Sequence, residues 1–574
     1  MFKKLVTPKV IKIAIIVSWL FALGCHFTQT SLPTDAGSSC ASGPQALTAA
    51  EFNTWFESGA VSLNGAVLPA NSVTFPDVPN CSFYKWTEQM FLWLTSPAPP
   101  RYGSGGLVMN TSAFYDISLP DASGERHFLS HTPGLIRAFN LRTAQKGVLD
   151  LPIILERKTF KMLEIIPPVL SPSGRQLVAD RDGNEREIGS VTFDANRRPF
   201  LMDINGKEIP SPRALMQSAR DTTTLPFAKK MRKFGDFDRS SLVQKIVLDK
   251  TILFLDVFGN FHETEQGQAD GSVLMAQNQS LVYYSLTVNN VYALYRTMQG
   301  ASVPGGVRFP TTQANLNTIS SFALANGRSP ILDSTALAIE IKCSWVEAEG
   351  LPDADKFIKM KAVVPTYDKS NPNEWIPNGT QTIELAMVGM HVVGSTKGHP
   401  ELLWGTFEHV SNDPAAAYSY RNTGGTTTNV AQNTTGSWVF CSTGATGPFN
   451  SARMFMLGDH IKAVTGQTIG PTDIRRDMPW GLNGTASTQN AEVIATNHTV
   501  RSLLDPGDVR KNYFQTGTTW TIGGNSPSVG NQVGTNILSN TTMETFSQPG
   551  NCFNCHNTNT TAVSHVFDDT RPLF

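Results

Sequence analysis

The sequence predicts an α+β fold in which a mainly antiparallel β body carries a few helices. Between residues 151 and 410, apolar and polar residues alternate in short segments, with the period expected of half-buried strands. Turn-forming intervals such as Asp194-Ala195-Asn196 separate these segments. Because 40% of the 574 residues are hydrophobic, the chain can bury a large core. We therefore expect one large β-rich domain over residues 48–500, built as one or two subdomains.

The N-terminus has the features of a secretory signal peptide. An apolar run over residues 13–23 follows four basic residues, Lys3, Lys4, Lys9 and Lys12. The run is shorter than the roughly 20 apolar residues that a membrane-spanning helix needs. We therefore predict that residues 1–24 direct export, and that the protein is a bacterial one of the periplasm or outer membrane. An uncleaved N-terminal anchor is the alternative.

Cys25 follows this run at the position where a bacterial lipoprotein signal places its lipidated cysteine. The preceding Ala22-Leu23-Gly24 departs from the usual pattern, because leucine is more common three residues before the cysteine. Ala22 and Gly24 fit ordinary signal-peptidase cleavage equally well. Lipidation of Cys25 is the interpretation we prefer. Residues 25–47, which include a stretch rich in Ser, Gly, Pro and Thr, then form a polar tether.

Helical spacing is clear in two places after the tether and plausible in a third. The first helix is expected over residues 48–57, and the third after the strand that includes Tyr283. The second helix has one apolar face, formed by Phe83, Trp86, Met90 and Leu94. Prolines at positions 97, 99 and 100 end it. A Met and aromatic stripe of this kind indicates core packing rather than a cofactor site.

Three strands have the clearest alternation, at residues 337–345, 382–393 and 402–410. In the first, Leu337, Ile339, Ile341, Cys343 and Trp345 share one face. Two later stretches, 421–437 and 516–533, are dense in Gly, Asn, Thr and Ser. That composition predicts long surface loops.

The second and third strands carry the polar residues most able to take part in catalysis or to bind iron. These weak candidates are His391, His399, Glu408 and His409. Strict alternation places His391 on the apolar face of Leu385 and Met387, and places Glu408 and His409 on opposite faces. The latter two cannot face one pocket unless a β-bulge intervenes. A single histidine on an apolar strand is more often a hydrogen-bonded core residue than a ligand; the presence of three within so short a stretch makes them candidates, although weak ones.

The strongest chemical motif is Cys552-Phe553-Asn554-Cys555-His556. Two thiols at this spacing can form thioether bonds to both vinyl groups of one porphyrin, and the adjacent His556 can bind its iron. The motif predicts one covalent haem c, with Cys552 and Cys555 as anchors and His556 as the proximal metal ligand. A redox dithiol and half of a zinc site are the alternatives. The former lacks the βαβ context that such dithiols have, and the latter has only His565 nearby.

The position of the motif is unusual for a c-type cytochrome. Only 18 residues follow His556, and none of them is methionine. We therefore expect residues 501–574 to form a C-terminal haem-binding segment that packs on the large domain. The sixth iron ligand then comes from upstream, from His565, or is absent.

The remaining cysteines number four when Cys25 and the haem pair are set aside. They are Cys40, Cys81, Cys343 and Cys441. An even number suits an oxidising compartment. Of the three possible pairings, the simplest is Cys40–Cys81 with Cys343–Cys441.

Two stretches carry a family resemblance. Residues 406–414 (TFEHVSNDP), and residues 540–546 (NTTMETF) followed by the haem motif, resemble a group of large exported bacterial proteins of the cytochrome c family. The resemblance extends from about Cys81 to the C-terminus. It implies haem attachment at Cys552, Cys555 and His556, and it implies no established activity.

The leading hypothesis is an exported monohaem c-type protein that transfers electrons or acts as an oxidoreductase. Its partner would be a redox protein or a small-molecule substrate. A formal net charge of −1 does not favour nucleic acid, and membrane contact is expected only through a lipid on Cys25. The alternatives are a peroxidase-type haem enzyme with an open distal site, and a surface ligand-binding lipoprotein with an accessory haem.

Overall fold

The computed structural model describes residues 27–574 with several gaps. The residues outside the description are 1–26, 31, 34, 78–79, 104–105, 120–124, 133, 138–150, 152, 157–161, 195–197, 216–238, 249–250, 263, 266–272, 300–307, 458–459, 465–466, 482–487, 547, 549–551, 557–562, 565 and 568–569. The predictions for the signal peptide, for Cys25 and for His565 therefore lie outside the described residues.

The described α-helices are few. They are α1 (Ala49–Asn53), α2 (Cys81–Leu94), α3 (Asn290–Gln299), α4 (Gln313–Ala325), α5 (Thr488–Leu503) and α6 (Cys552–Cys555). The three helices predicted from the sequence correspond to α1, α2 and α3. Among the helices of the described part of the chain, none has both the length and the hydropathy needed to cross a bilayer.

The described strands outnumber the helices. They are β1 (Phe114–Ile117), β2 (Phe128–Ser130), β3 (Leu135–Arg137), β4 (Ile153–Glu156), β5 (Met162–Ile166), β6 (Leu177–Ala179), β7 (Glu185–Phe193), β8 (Pro199–Asp203), β9 (Arg213–Ala214), β10 (Leu242–Leu248), β11 (Thr251–Asp256), β12 (Phe261–His262), β13 (Thr264–Glu265), β14 (Tyr283–Asn289), β15 (Ile339–Glu347), β16 (Lys359–Asp368), β17 (Glu374–Thr396), β18 (His399–His409), β19 (Tyr418–Arg421), β20 (Thr427–Val430), β21 (Met454–Leu457), β22 (His460–Ala463), β23 (Tyr513–Thr521) and β24 (Gln532–Gly534).

A large central sheet organises the molecule. Its main path runs β2-β1-β14-β15-β17-β18-β23-β24, and every neighbouring pair on this path is antiparallel. Strand β16 pairs with the first half of β17, and β22 pairs with the start of β17. The three strands predicted most clearly are β15, β17 and β18, which lie at the centre. The mainly antiparallel α+β class is confirmed.

Two smaller sheets, with orders β12-β11-β10-β5-β4-β13 and β8-β7-β6-β9, share a separate apolar cluster. Within the β8-β7-β6-β9 sheet a turn pattern occurs twice: Asp203 occupies the position equivalent to Asp180, and Asp194 the position equivalent to Ser171. In the turns at Asp180, Asp203 and Asp256, one carboxylate oxygen of the aspartate accepts hydrogen bonds of 2.8–3.0 Å from two backbone N–H groups. The donors are the residues two and four positions after the aspartate. The shared turn geometry follows from this shared hydrogen bonding.

Helix α2 packs on one face of the central sheet, which we call the α2 face. Phe91 stacks on Phe407 at 4.1 Å between ring centroids, and Phe83 stacks on Trp520 at 3.9 Å. A Cβ at Gly405 would lie 2.1 Å from Thr87 Cγ2, so only glycine allows this close approach. The apolar stripe predicted for the helix is buried in this core.

Strand β23 corrects the loop prediction for residues 516–521, whereas residues 522–528 of the same stretch lie outside the strands and are mostly exposed. It is buried along its whole length despite its Gly and Thr content. Its threonines are satisfied internally, as in the 2.8 Å hydrogen bond from Thr518 to Thr87. Composition indicated a loop because these polar residues usually face water, whereas here they pair beneath α2. Residues 421–437 are mostly exposed and include the small hairpin of β19 and β20.

The cysteines confirm one predicted pairing and contradict the other. Cys40 and Cys81 form a disulfide that links the tether to the first residue of α2. Cys343 and Cys441 are both buried thiols without a disulfide, so the prediction that they pair is wrong. Cys343 belongs to the core of the α2 face, whereas the neighbours of Cys441, Val439 and Phe440, pack in a different cluster.

Candidate functional site

The opposite face of the central sheet carries Lys342, Ser344, His391, Thr406 and Glu408. The C-terminal segment 538–574, here called the tail, covers it, and we call it the tail face. Val563, Val566 and Phe567 of the tail pack with sheet residues in one apolar cluster. The tail face is therefore the surface against which the Cys552–His556 motif lies.

A β-bulge at Val388 decides which face His391 joins. Trp345 pairs with Met387, but the next residue of β15, Ser344, pairs with Gly389, so Val388 is an extra residue in β17. The extra residue reverses the alternation that follows it. His391 consequently faces the tail rather than the apolar side of Leu385 and Met387, and the predicted orientation is wrong.

His391 connects the sheet to the tail. Its Nδ1 lies 2.7 Å from the hydroxyl oxygen of its cross-strand neighbour Thr406. Its Nε2 lies 3.1 Å from Oε1 of Glu544, which belongs to the tail. Burial opposes ionisation of Glu544, but the charge and hydrogen bond of His391 outweigh it and hold the pKa of Glu544 below its usual value. The pair therefore links β17 to the tail through a contact between a histidine and a carboxylate.

Glu408 lies in a fully enclosed ionic network. Its carboxylate accepts the backbone N–H of Thr541 at 2.9 Å and forms an ion pair with Arg476. The Thr541 hydroxyl lies 2.7 Å from Glu408 Oε2 and 2.9 Å from Asp413 Oδ1. Burial lowers the pKa of Arg476, but its two carboxylate neighbours, Glu408 first, raise it above the usual value. A permanently charged guanidinium thus compensates two buried acids.

His409 and His399 face away from the tail. His409 stacks on Phe357 at 3.7 Å, accepts the N–H of Ser411 at Nδ1, and lies 3.2 Å from Lys356 O through Nε2. Burial lowers the pKa of His409 to about 3, so it is a neutral core residue. The prediction that Glu408 and His409 occupy opposite faces is confirmed.

His399 begins β18 on the α2 face. Its Nδ1 lies 2.8 Å from Glu401 Oε1, and its ring packs edge-on against Phe83 at 5.1 Å. Both members of the His399–Glu401 pair are buried. Of the four candidates, only His391 and Glu408 therefore lie on the side of the sheet that the tail covers.

Residues 540–544 dock the start of the tail on the sheet. The side chain of Asn540 donates to Phe407 O at 2.9 Å, and the hydroxyls of Thr542 and Ser344 are 2.6 Å apart. A Cβ added at Gly389 would lie within 2.8 Å of a polar side-chain atom of each of three residues, Ser344, Thr542 and Asn540. The two sequence stretches that carried the family resemblance, 406–414 and 540–546, are therefore in direct contact.

The Cys552–His556 motif forms one helical turn, α6, closed by a 2.9 Å hydrogen bond from His556 N to Cys552 O. Phe553 is buried, and its ring centroid is 6.4 Å from that of Trp404. The His556 ring lies 4.3 Å from the Trp404 ring, and its Nδ1 is 3.0 Å from Val563 O. Since a carbonyl only accepts, Nδ1 carries a proton and the lone pair of the neutral ring is on Nε2.

The end of the tail is held as firmly as its start. Tyr292 and Ser564 share a 2.6 Å hydrogen bond between hydroxyls. Arg296 donates from Nε to Phe567 O at 2.5 Å, and Arg571 forms an ion pair with Glu125. The motif is thus bracketed by two docked segments of the same tail.

Several site residues were not identified from the sequence as part of one site. They are Trp404, Arg476, Thr541, Glu544 and Val563. Each acts through contacts between positions distant in the chain, and none has a local pattern that distinguishes it. Within the described residues, no group of three or more His, Cys, Asp or Glu side chains could hold a metal ion.

Comparison of the chain with protein-family models, with curated proteins and with solved structures found no match. The resemblance to exported cytochrome c family proteins therefore stays a prediction, and the site must be interpreted from its own chemistry.

Proposed function

We propose that this protein is an exported monohaem c-type protein that transfers single electrons, with haem bound through Cys552, Cys555 and His556. One observation carries the proposal. The Nδ1 of His556 points to Val563 O at 3.0 Å, which presents Nε2 as the ligand atom. Metal-binding histidines are commonly oriented by a hydrogen bond from their second ring nitrogen to a carbonyl group.

The residues present fit a covalent haem. Cys552 and Cys555 are the first and last residues of the single turn α6, and the two residues between them give the spacing that covalent haem attachment uses. The donor set of two thiols and one imidazole is the set that haem c requires. The buried indole N–H of Trp404 adds a polar group beside His556. When bound, the haem supplies one-electron redox chemistry at its iron.

The protein's own residues would hold the cofactor still and keep water from one side of it. Contacts at residues 540–544 and 563–571 fix both ends of the tail on the sheet. Phe553 and Trp404 provide an apolar wall next to His556. A ligand set on a docked segment changes its geometry little between oxidation states, which suits electron transfer to a redox partner protein or a small molecule. Enzymatic oxidoreduction would use the same arrangement.

Export is part of the proposal. The Cys40–Cys81 disulfide supports it, because disulfides persist in oxidising compartments such as the bacterial periplasm. A lipid on Cys25 would attach the protein to a membrane. The tether, residues 25–47, would then connect this lipid to the folded domain, to which the disulfide at Cys40 fixes it.

The test is the intact mass of the exported protein made together with c-type maturation factors. We expect the mass to exceed that of the processed chain by one haem, and the double change Cys552→Ala with Cys555→Ala to abolish covalent haem. The control is Cys441→Ala, which removes a cysteine remote from the motif and should leave the haem in place. A wild-type protein without added mass would contradict the proposal.

A peroxidase-type activity is the second candidate, and His391 is the observation that favours it. His391 shares the tail face with Trp404, is 17% exposed and is paired with Glu544, as an acid–base histidine would be. The spectrum of the same holoprotein separates the two functions. A low-spin ferric iron that does not react with peroxide supports electron transfer, and a high-spin iron that reacts rapidly supports the peroxidase.

A further inference from the structure

Trp404 has a buried hydrogen-bond donor that no acceptor in the described residues satisfies. Its indole Nε1 is inaccessible to water and has no partner there. Other buried tryptophans of this chain do have partners: Trp86 donates to Ser72 at 3.1 Å, Trp93 to Tyr102 at 3.0 Å, and Trp345 to Ser285 at 2.9 Å. Buried indole N–H groups normally have a hydrogen-bond acceptor. The N–H of Trp404 therefore needs an acceptor that is not among the described residues.

The position of Trp404 indicates where that acceptor would belong. The His556 ring packs against the Trp404 ring, with 4.3 Å between the ring centroids. The ring centroid of Phe553, in the same motif, lies 6.4 Å from that of Trp404. The unsatisfied donor is therefore part of the surface next to the proposed iron ligand. A group bound at Cys552–His556 would reach it.

The strand register places an acid, Glu340, on the same face as Trp404. Trp404 pairs with Val393 across the strands, and Val393 pairs with Glu340. Burial raises the pKa of Glu340 above its usual value, although a hydrogen bond from Ser564 and the charges of Lys342, Arg126 and His391 oppose the rise. Glu544 is the opposing anion on this side and is already paired with His391. A carboxylate bound beside Trp404 would give the unsatisfied N–H an acceptor, and this hydrogen bond would offset part of the cost of burying the negative charge.

We infer that Trp404 donates its indole N–H to a propionate carboxylate of the haem. The inference rests on the proposed haem attachment and deepens it, because it assigns a sheet residue to the orientation of the cofactor. A hydrogen bond at this position reduces the effective negative charge of the carboxylate. Because that charge favours the ferric state, Trp404 raises the reduction potential of the iron.

The first test is Trp404→Phe in the exported holoprotein, a change that keeps an aromatic ring and removes the N–H. We expect covalent haem to be retained and the midpoint potential to fall, with a shift of about fivefold to tenfold in the one-electron equilibrium, where tenfold corresponds to about 59 mV. The matched control is Trp345→Phe, which removes a buried indole hydrogen bond on the opposite face of the same sheet. It should leave the potential unchanged.

The second test needs no variant. In the ferrous holoprotein labelled with ¹⁵N-tryptophan, NMR should show a slowly exchanging Nε1 proton of Trp404 with nuclear Overhauser contacts to the propionate methylene protons. An unchanged potential in Trp404→Phe, or a Trp404 proton without those contacts because water is its acceptor, would overturn the inference while leaving the haem proposal intact. A wild-type protein whose mass includes no haem would overturn both.

Discussion

The guanidinium of Arg476 is buried between two carboxylates, those of Glu408 and Asp413. Its exposed fraction is 4%, and those of both acids are 0%. Burial also raises the pKa of Asp413, since removal from water penalises its charge. The site therefore depends on one cation that links β18, the loop that follows it and the tail residue Thr541.

Replacing Arg476 by methionine should leave two buried acids without compensation. We expect Arg476→Met to lower the free energy of unfolding by about 3–5 kcal/mol, the usual cost of breaking a buried ion pair. Urea denaturation measures this directly. The matched control is Arg475→Met, because Arg475 is adjacent and is paired with Asp477, and both side chains are partly exposed. We expect that change to cost about 0.5 kcal/mol or less. Equal losses in the two variants would refute the assigned role of Arg476.

Among the secondary-structure elements, β17 contains a β-bulge at Val388. The bulge reverses which residues of the second half of the strand face α2 and which face the tail. Before Val388, Leu385 and Met387 face α2, and after it Met390 and Val392 do so. Gly389 follows the bulge and lies directly beneath the docked residues 540–544. The strand thereby exposes a polar row to the tail without losing its apolar row on the α2 face.

A methyl group at position 389 should disturb this docking. Its carbon would lie 2.6 Å from Ser344 Oγ and 2.7 Å from Thr542 Oγ1, both closer than side chains allow. We expect Gly389→Ala to cost about 1–3 kcal/mol and to speed proteolytic cleavage within the tail. Limited proteolysis followed by mass spectrometry measures the effect. Gly530→Ala is the control, since a methyl group there meets nothing within 4 Å. A tail equally protected in both variants would contradict the proposed docking.

At the scale of the whole molecule, the central sheet holds helix α2 on one face and the tail on the other. The Cys40–Cys81 disulfide adds a covalent link between the tether and α2, with a sequence separation of 41. Such a link stabilises a fold mainly by restricting the unfolded chain.

Removing this disulfide should destabilise the whole molecule. We expect the double change Cys40→Ser with Cys81→Ser to lower the free energy of unfolding by about 2–4 kcal/mol. Chemical denaturation with and without a reductant measures it: the reductant should destabilise the parent protein and leave the double variant unchanged. Cys441→Ser, which removes a buried thiol and no cross-link, is the control and should keep the response to the reductant. A parent protein whose stability does not change on reduction would contradict this expectation.

Local pattern was sufficient for much of the fold. The stripe of Phe83, Trp86 and Met90 repeats every three to four residues, and α2 occupies that segment. The alternation around Ile341 and around Phe407 identified β15 and β18 in the same way. These signals are reliable because each strand or helix buries one face, and burial imposes its period on the sequence.

Local sequence patterns located these elements and placed Glu408 and His409 on opposite faces of β18, and they led to the prediction that the Cys552–His556 motif binds a covalent haem. The three-dimensional packing was needed to show that His391 faces the tail, that Cys343 and Cys441 remain apart, and that Trp404 and His556 are in contact. The difference lies in the sequence range over which each kind of information acts. Periodicity reports how a residue relates to its own helix or strand, whereas a bulge reverses that relation and a packed face joins residues that no local pattern connects.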